Sequence, residues 1–111
     1  MYSGNRTYSK YGNKKVAGFD SKRERARYQE LLLLQRAGKI QELNRQVRFE
    51  LIPSQYKDGK CIFRKTSYIA DFTYIENGNL VVEDTKGFKT PEYIIKKKLM
   101  YQVHNIIIKE T

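Results

Sequence analysis

Apolar and polar residues recur with two different periods along this chain, and the changes of period mark out its elements. From Ser21 the pattern is helical. Ser21-Lys22-Arg23-Glu24 is a capping box, in which a serine hydroxyl and a glutamate three residues on satisfy the first free N–H groups of a helix. Ala26, Tyr28, Leu31, Leu32 and Leu34 carry it to Ala37, and Gly38 supplies the stop. The unbroken Leu31–Leu34 run points to a helix buried on more than one side, or to one offering part of its surface to a second copy.

The period then shortens to two. Val47-Arg48-Phe49-Glu50-Leu51-Ile52 alternates apolar and charged residues until Pro53 ends it. Ser54 to Lys60 reads as a polar turn around Asp58-Gly59, and Cys61-Ile62-Phe63 as a short edge piece. Ser67 to Ile75 is rich in aromatic and β-branched residues. Asn77-Gly78 within Glu76-Asn77-Gly78-Asn79 is a tight-turn signal, and Leu80 to Lys86 returns as the second arm of a hairpin, closed by Gly87. Thr90-Pro91-Glu92 opens a second helix with a hydroxyl cap, a proline in first position and an acid in the first turn. It runs through Lys96-Lys97-Lys98 to about Val103. Asn105 to Lys109, with three isoleucines, reads as a last strand buried on both faces. The expected order is α-β-β-β-α-β: one α/β domain over residues 19–111, a mixed sheet flanked by helices. Residues 1–18 have no period and read as a flexible basic arm. Its interleaved Tyr2, Arg6, Tyr8, Lys10 and Tyr11 suit either contact with bases and phosphates or a tail with no role.

Charge changes the picture. The chain carries 22 basic and 12 acidic residues, a formal +10, which is the footprint of a polyanion binder. An anionic membrane surface would call for a basic amphipathic helix, whereas the cations here are spread along the chain, favouring nucleic acid over membrane. A merely solubilising surface is the plainer alternative. No run approaches the roughly 18–20 apolar residues of a bilayer span, and Met1 to Arg6 has no apolar leader segment. Cys61 is the only cysteine, which excludes an intrachain disulfide and a multi-cysteine zinc site and suits a reducing cytoplasm. His104 is the only histidine and reads as structural or surface-exposed, leaving little material for a histidine metal site or a Ser-His-Asp triad.

The hairpin holds the most chemistry. With Asn77-Gly78 at its tip, Glu76 faces Asn79, and counting outward along both arms sets Asp71 directly against Asp84. Opposed residues have Cβ atoms roughly 4.5–5.5 Å apart on one face. Alternation adds Lys86 to that face and sends Glu83 to the other. Two carboxylates so placed repel unless they share a proton, are neutralised by Lys86, or bind a divalent metal. An exposed acid pair salt-bridged by Lys86 is the simpler alternative, and a one-residue slip would separate the pair.

Ala70-Asp71, a twelve-residue spacer and Asp84-Thr85-Lys86 resemble the signature of the PD-(D/E)XK nuclease superfamily. The strings Phe19-Asp20-Ser21-Lys22, Tyr68-Ile69-Ala70-Asp71-Phe72 and Val82-Glu83-Asp84-Thr85-Lys86-Gly87 resemble more closely a family of small phage-encoded proteins described as nucleases or as a domain of unknown function. The strand ending Thr85-Lys86-Gly87 is also similar to that of phage junction-resolving endonucleases. The resemblance covers about residues 19–109. It implies a restriction-endonuclease-like core and magnesium-dependent hydrolysis of DNA phosphodiester bonds, with manganese as a substitute. It casts Glu24, Asp71, Asp84 and Lys86 as catalytic, and the carboxylates of Glu24, Asp71 and Asp84 with the Thr85 carbonyl as metal ligands. Gln46 becomes a candidate support for those ligands; otherwise it is an ordinary strand-end polar group. Arg23, Lys96, Lys97 and Lys98 become candidate phosphate contacts, though a lysine run is more often a solvated helix face. A junction-resolving enzyme would act on branched or recombination intermediates as a homodimer in the host cytoplasm. Two departures stand out: Ala70 replaces the family's proline, which shapes backbone only, and Asp84 replaces the commoner glutamate, which bears on metal placement. A non-catalytic basic DNA-binding module, with Glu24 serving only as a cap, is the rival expectation, and RNA is an alternative substrate.

Overall fold

The structure, a computed structural model, describes residues 21–111; the arm expected over residues 1–18 lies outside them. The first helix, α1 (Lys22–Arg36), starts where its cap dictates: Ser21 is extended and its hydroxyl accepts the Glu24 N–H at 3.1 Å. Strand β1 (Gln41–Ile52) begins six residues before the alternating segment that announced it. Glu42 and Gln46 within it take positive φ values of 55° and 54°, unusual for residues with a Cβ. A separate exposed hairpin, β2 (Gln55–Lys57) and β3 (Lys60–Phe63), turns at Asp58-Gly59 and takes in the expected edge piece at Cys61–Phe63. Then come β4 (Thr66–Glu76), β5 (Asn79–Asp84), helix α2 (Pro91–His104) and β6 (Lys109–Glu110).

The main sheet has the order β1-β4-β5-β6. β1, β4 and β5 are antiparallel, and β6 joins β5 in parallel after the α2 crossover, which makes the sheet mixed and the fold α/β. Two expectations are corrected. The last strand is only Lys109–Glu110, because Asn105 adopts the left-handed conformation (φ 59°) and caps α2. Ile108 is buried but Ile107 is 76% exposed, so that segment is not covered on both faces. Within α1, Leu31 is buried and Leu33 is 62% exposed, so the helix packs along one side.

Two apolar clusters flank the sheet's centre. Leu51, Tyr68, Ala70, Val82 and Ile108 pack with Tyr93 and Met100 of α2. Phe72, Tyr74 and Ile40 pack with Leu31 of α1. Thus Tyr68 and Ala70 serve one helix, while Phe72 and Tyr74, in step with them by alternation, serve the other. The handover falls at Asp71.

A buried polar network ties α1 to β5. Glu83 is fully buried; it accepts from the Arg27 guanidinium (Nη2 to Oε1, 3.0 Å), the Tyr74 hydroxyl (2.7 Å) and the Thr111 hydroxyl (3.0 Å). Burial pushes Glu83 up, but the hydrogen bonds from Arg27 and Tyr74 outweigh it and hold the carboxyl below its ordinary range. Its stabilising contribution is therefore present above the ordinary glutamate range and lost as pH falls. Replacing Arg27 by alanine strands this charge and should cost about 3 kcal/mol in urea unfolding at neutral pH. A loss under about 1 kcal/mol would show that the network does not anchor the helix.

Candidate active site

The β4–β5 register runs from Glu76↔Asn79 to Phe72↔Glu83, and one step further sets Asp71 against Asp84. The Asp84 carboxyl lies close enough to act directly on that of Asp71. On the other side of β4, the pairs Arg45↔Phe72 and Val47↔Ala70 bracket Gln46 opposite Asp71, at a point where the ladder skips both residues. Gln46, Asp71 and Asp84 thus form a row across three strands, with the positive φ of Gln46 at its end. Glu24 joins the row from α1. It is 3% exposed, its Oε2 accepts from Gln46 Nε2 at 3.3 Å, and its charge acts on Asp71. Its backbone N–H is capped by Ser21 while its carboxylate reaches the sheet, so a place in the capping box alone does not account for the residue.

Each member of the acid pair has its own partners. Asp71 Oδ2 accepts the Thr85 N–H at 2.8 Å. Asp84, 1% exposed, accepts from the Tyr68 hydroxyl at 2.7 Å and lies 3.5 Å from Lys86 Nζ, both through Oδ2. The Lys86 ammonium also sits 4.7 Å from the centre of the Tyr93 ring, a cation–π contact that steadies it beside Asp84. Tyr93 in turn donates to Glu110 at 2.8 Å, and Glu110 pairs with Lys89 and Lys97. Lys86 therefore reaches Asp84 although β5 itself ends at Asp84.

Burial raises the Asp71 carboxyl well above the usual carboxylate range, and the adjoining Asp84 and then Glu24 push it further, against a smaller opposing effect of the Thr85 N–H. The arrangement keeps a proton on Asp71, beside an Asp84 whose Oδ2 meets a hydroxyl donor and an ammonium. Among the described residues no three His, Cys, Asp or Glu side chains already form a metal cage. What the fold assembles is a carboxyl pair, with Glu24 held beside it by Gln46.

Every one of these residues falls within a single family match. The chain belongs to DUF1064, a family of proteins of unknown function. The family model matches residues 8–110. No curated protein matches. The DUF1064 match therefore spans the helix glutamate, both arms of the acid hairpin and α2.

The other expected residues of this DUF1064 chain are dispersed. The Arg23 guanidinium lies over Gly87, 3.7 Å from where a Cβ would stand, close to the end of the acid hairpin. The lysine run does not form one patch. Lys96 pairs with Glu92 at 3.0 Å beside Tyr93, Lys97 pairs with Glu110 at 3.0 Å, and Lys98 is exposed beside Ile94 and Tyr101. Helical steps of about 100° turn three consecutive side chains in three directions. His104, exposed, contacts the Glu50 carbonyl at 2.7 Å, and Cys61 is exposed on the small hairpin. No helix among the described residues is long and apolar enough to cross a membrane. No local pattern marks Tyr68 or Tyr93 as partners of the site. Tyr68 lies out of step with Asp71 by strand alternation, so no periodic signal tied it to the acids.

The raised Asp71 carboxyl has a thermodynamic consequence. The folded protein holds a proton that the unfolded chain releases in the ordinary aspartate range, so stability falls as pH rises through and above that range. Asp71→Asn mimics the protonated form and should flatten this decline. Thermal and urea unfolding between pH 5 and 8, without divalent metal, should show the variant gaining about 1 kcal/mol or more over wild type at the upper end. A variant that weakens the fold at pH 8 would contradict the assignment of the proton.

Proposed function

We propose that this DUF1064 protein is a magnesium-dependent DNA endonuclease of the PD-(D/E)XK type. The observation that carries the reading is the meeting of Asp71 and Asp84 carboxyl to carboxyl, with the Lys86 ammonium 3.5 Å from Asp84. The donor set fits a hard divalent cation: full ionisation of a buried carboxyl and an adjoining half-buried one calls for a positive charge between them, and oxygen donors suit magnesium or manganese. Asp71 and Asp84 would hold the ion, with Glu24 and the Thr85 carbonyl as the adjoining donors. Once bound, the metal would supply Lewis acidity toward a phosphate oxygen.

The chain's own side chains do the rest. Lys86, ordered by Asp84 and the Tyr93 ring, is placed to orient a water and to offset negative charge growing on the phosphate. Tyr68 fixes the Asp84 carboxylate through its hydroxyl, and Gln46 fixes Glu24. The formal +10 of the chain supplies the attraction to a polyanion. DNA with branched or recombination-intermediate structure is the proposed substrate, and a homodimer would present the two sites that paired strand cuts require.

One observation favours a second reading. The acid pair has partners within the protein, Tyr68 and Lys86 for Asp84 and the Thr85 N–H for Asp71, as a structural pair in a DNA-binding module would have. Supercoiled, linear, branched and single-stranded DNA, alongside RNA, incubated with magnesium separate the two. The endonuclease reading expects metal-dependent DNA cutting, lowered about 100-fold or more in Asp84→Ala and in Lys86→Ala. Equal cutting by wild type and Asp84→Ala, or none by either while DNA is still bound, would leave the binding module.

A further inference from the structure

A cleft of about 280 Å³ opens beside the acid pair, between the start of β4 and the first turns of α2. Tyr68 and Lys86, which both contact Asp84, form its wall on that side. Lys96 and Ser67 stand in its lining, with Thr90 and Glu92 on the helix side. Three features make this more than a surface dent. The Ser67 hydroxyl oxygen is buried yet has no hydrogen-bond partner among the described residues, so the free protein leaves a donor unused. Lys96 is part-buried, its side chain 26% exposed, and is held by Glu92 at 3.0 Å one helical turn back. Glu92 itself is 76% exposed, so its grip on Lys96 is well screened and readily exchanged for a stronger anion.

We infer that this cleft seats a backbone phosphate of the nucleic acid, next to the one facing Asp71 and Asp84, with Lys96 and the Ser67 hydroxyl as its ligands. The inference rests on the endonuclease reading for the neighbouring site, but not for the binding itself. The incoming phosphate takes the place of Glu92 at the Lys96 ammonium, and the Ser67 hydroxyl, sealed from solvent in the free protein, turns toward the cleft to donate a hydrogen bond to it. Tyr68 and Tyr93 are buried at the cleft wall, so their rings are not open as stacking platforms, and backbone rather than base is the group received. The consequence is register: a strand gripped here is set relative to Asp84 through the shared Tyr68–Lys86 wall.

The test is binding of a fluorescent DNA duplex by the full chain in EDTA, over a range of salt. Lys96→Gln should raise Kd about 3- to 10-fold and reduce the slope of log K against log salt by about one contact. Glu92→Gln, which releases Lys96, should lower Kd several-fold. Ser67→Ala should raise Kd up to about 10-fold while its melting temperature stays level or rises, because the lost hydroxyl had no partner to lose. Lys39→Gln, beyond the far end of α1, serves as control and should change Kd less than about 2-fold. Equal losses for Lys96→Gln and Lys39→Gln, no gain from Glu92→Gln, or no binding by wild type would each overturn the cleft. With magnesium, Lys96→Gln should raise KM and leave kcat within about 2-fold. A wild type that binds but never cuts, with the Lys96 effect intact, keeps the cleft and removes the endonuclease. Cutting with an unchanged KM in Lys96→Gln does the reverse.

Discussion

The contact on which the site depends is the one that electrostatics least favours: two aspartates facing each other across a hairpin. Like charges a few ångströms apart in a poorly solvated place cannot both stay ionised without help. The protein supplies partial help, a hydroxyl and an ammonium for Asp84 and a backbone N–H for Asp71, and keeps a proton on Asp71. A fold under selection for stability alone would gain by removing one acid. Keeping both makes sense for a protein that binds a cation there, which is why the acid pair rather than the charge of the whole chain anchors the functional proposal.

Glu83 and Asp84 make the contrast within two residues. Both are buried, and they follow one another on β5. Glu83 meets a guanidinium and two hydroxyls and is held ionised as part of the scaffold. Asp84 meets another carboxyl as well as a hydroxyl and an ammonium. The first locks α1 onto the sheet, and since Arg27 lies one turn beyond Glu24 on that helix, the same lock sets where Glu24 stands. Scaffold stability and site geometry are therefore coupled through α1.

The step at Gln46 and Asp71, which the ladder omits while keeping one register on either side, belongs to the same construction. Twofold alternation would hand every second residue of β4 to one helix, yet Tyr68 and Ala70 go to α2 and Phe72 and Tyr74 to α1. A left-handed residue in mid-strand is costly and persists only where its surroundings enforce it. Here it lies in the row that holds the acids, between the two helices that deliver Glu24 and the Tyr93 support for Lys86. The fold-level assignment to DUF1064 brings no activity with it, so the chemistry must be argued from this row and its neighbours.

Local signals determined much of this. A hydroxyl cap, a proline and an Asn-Gly turn act through a few consecutive residues, so α1, α2 and the hairpin register, with Asp71 against Asp84, are legible in the sequence by itself. The mixed α/β character followed from their order. Signals that depend on distant partners were not legible. The start of β1 at Gln41 is decided by pairing with β4, the shortness of β6 by where α2 releases the chain, and the exposure of Ile107 by what is available to cover it. Tyr68 on Asp84, the Tyr93 ring beneath Lys86, and the separation of Lys96 from Lys97 and Lys98 exist only once helices and strands have packed. Periodicity specifies which face a residue belongs to, whereas hydrogen bonds and pKa values depend on what that face meets.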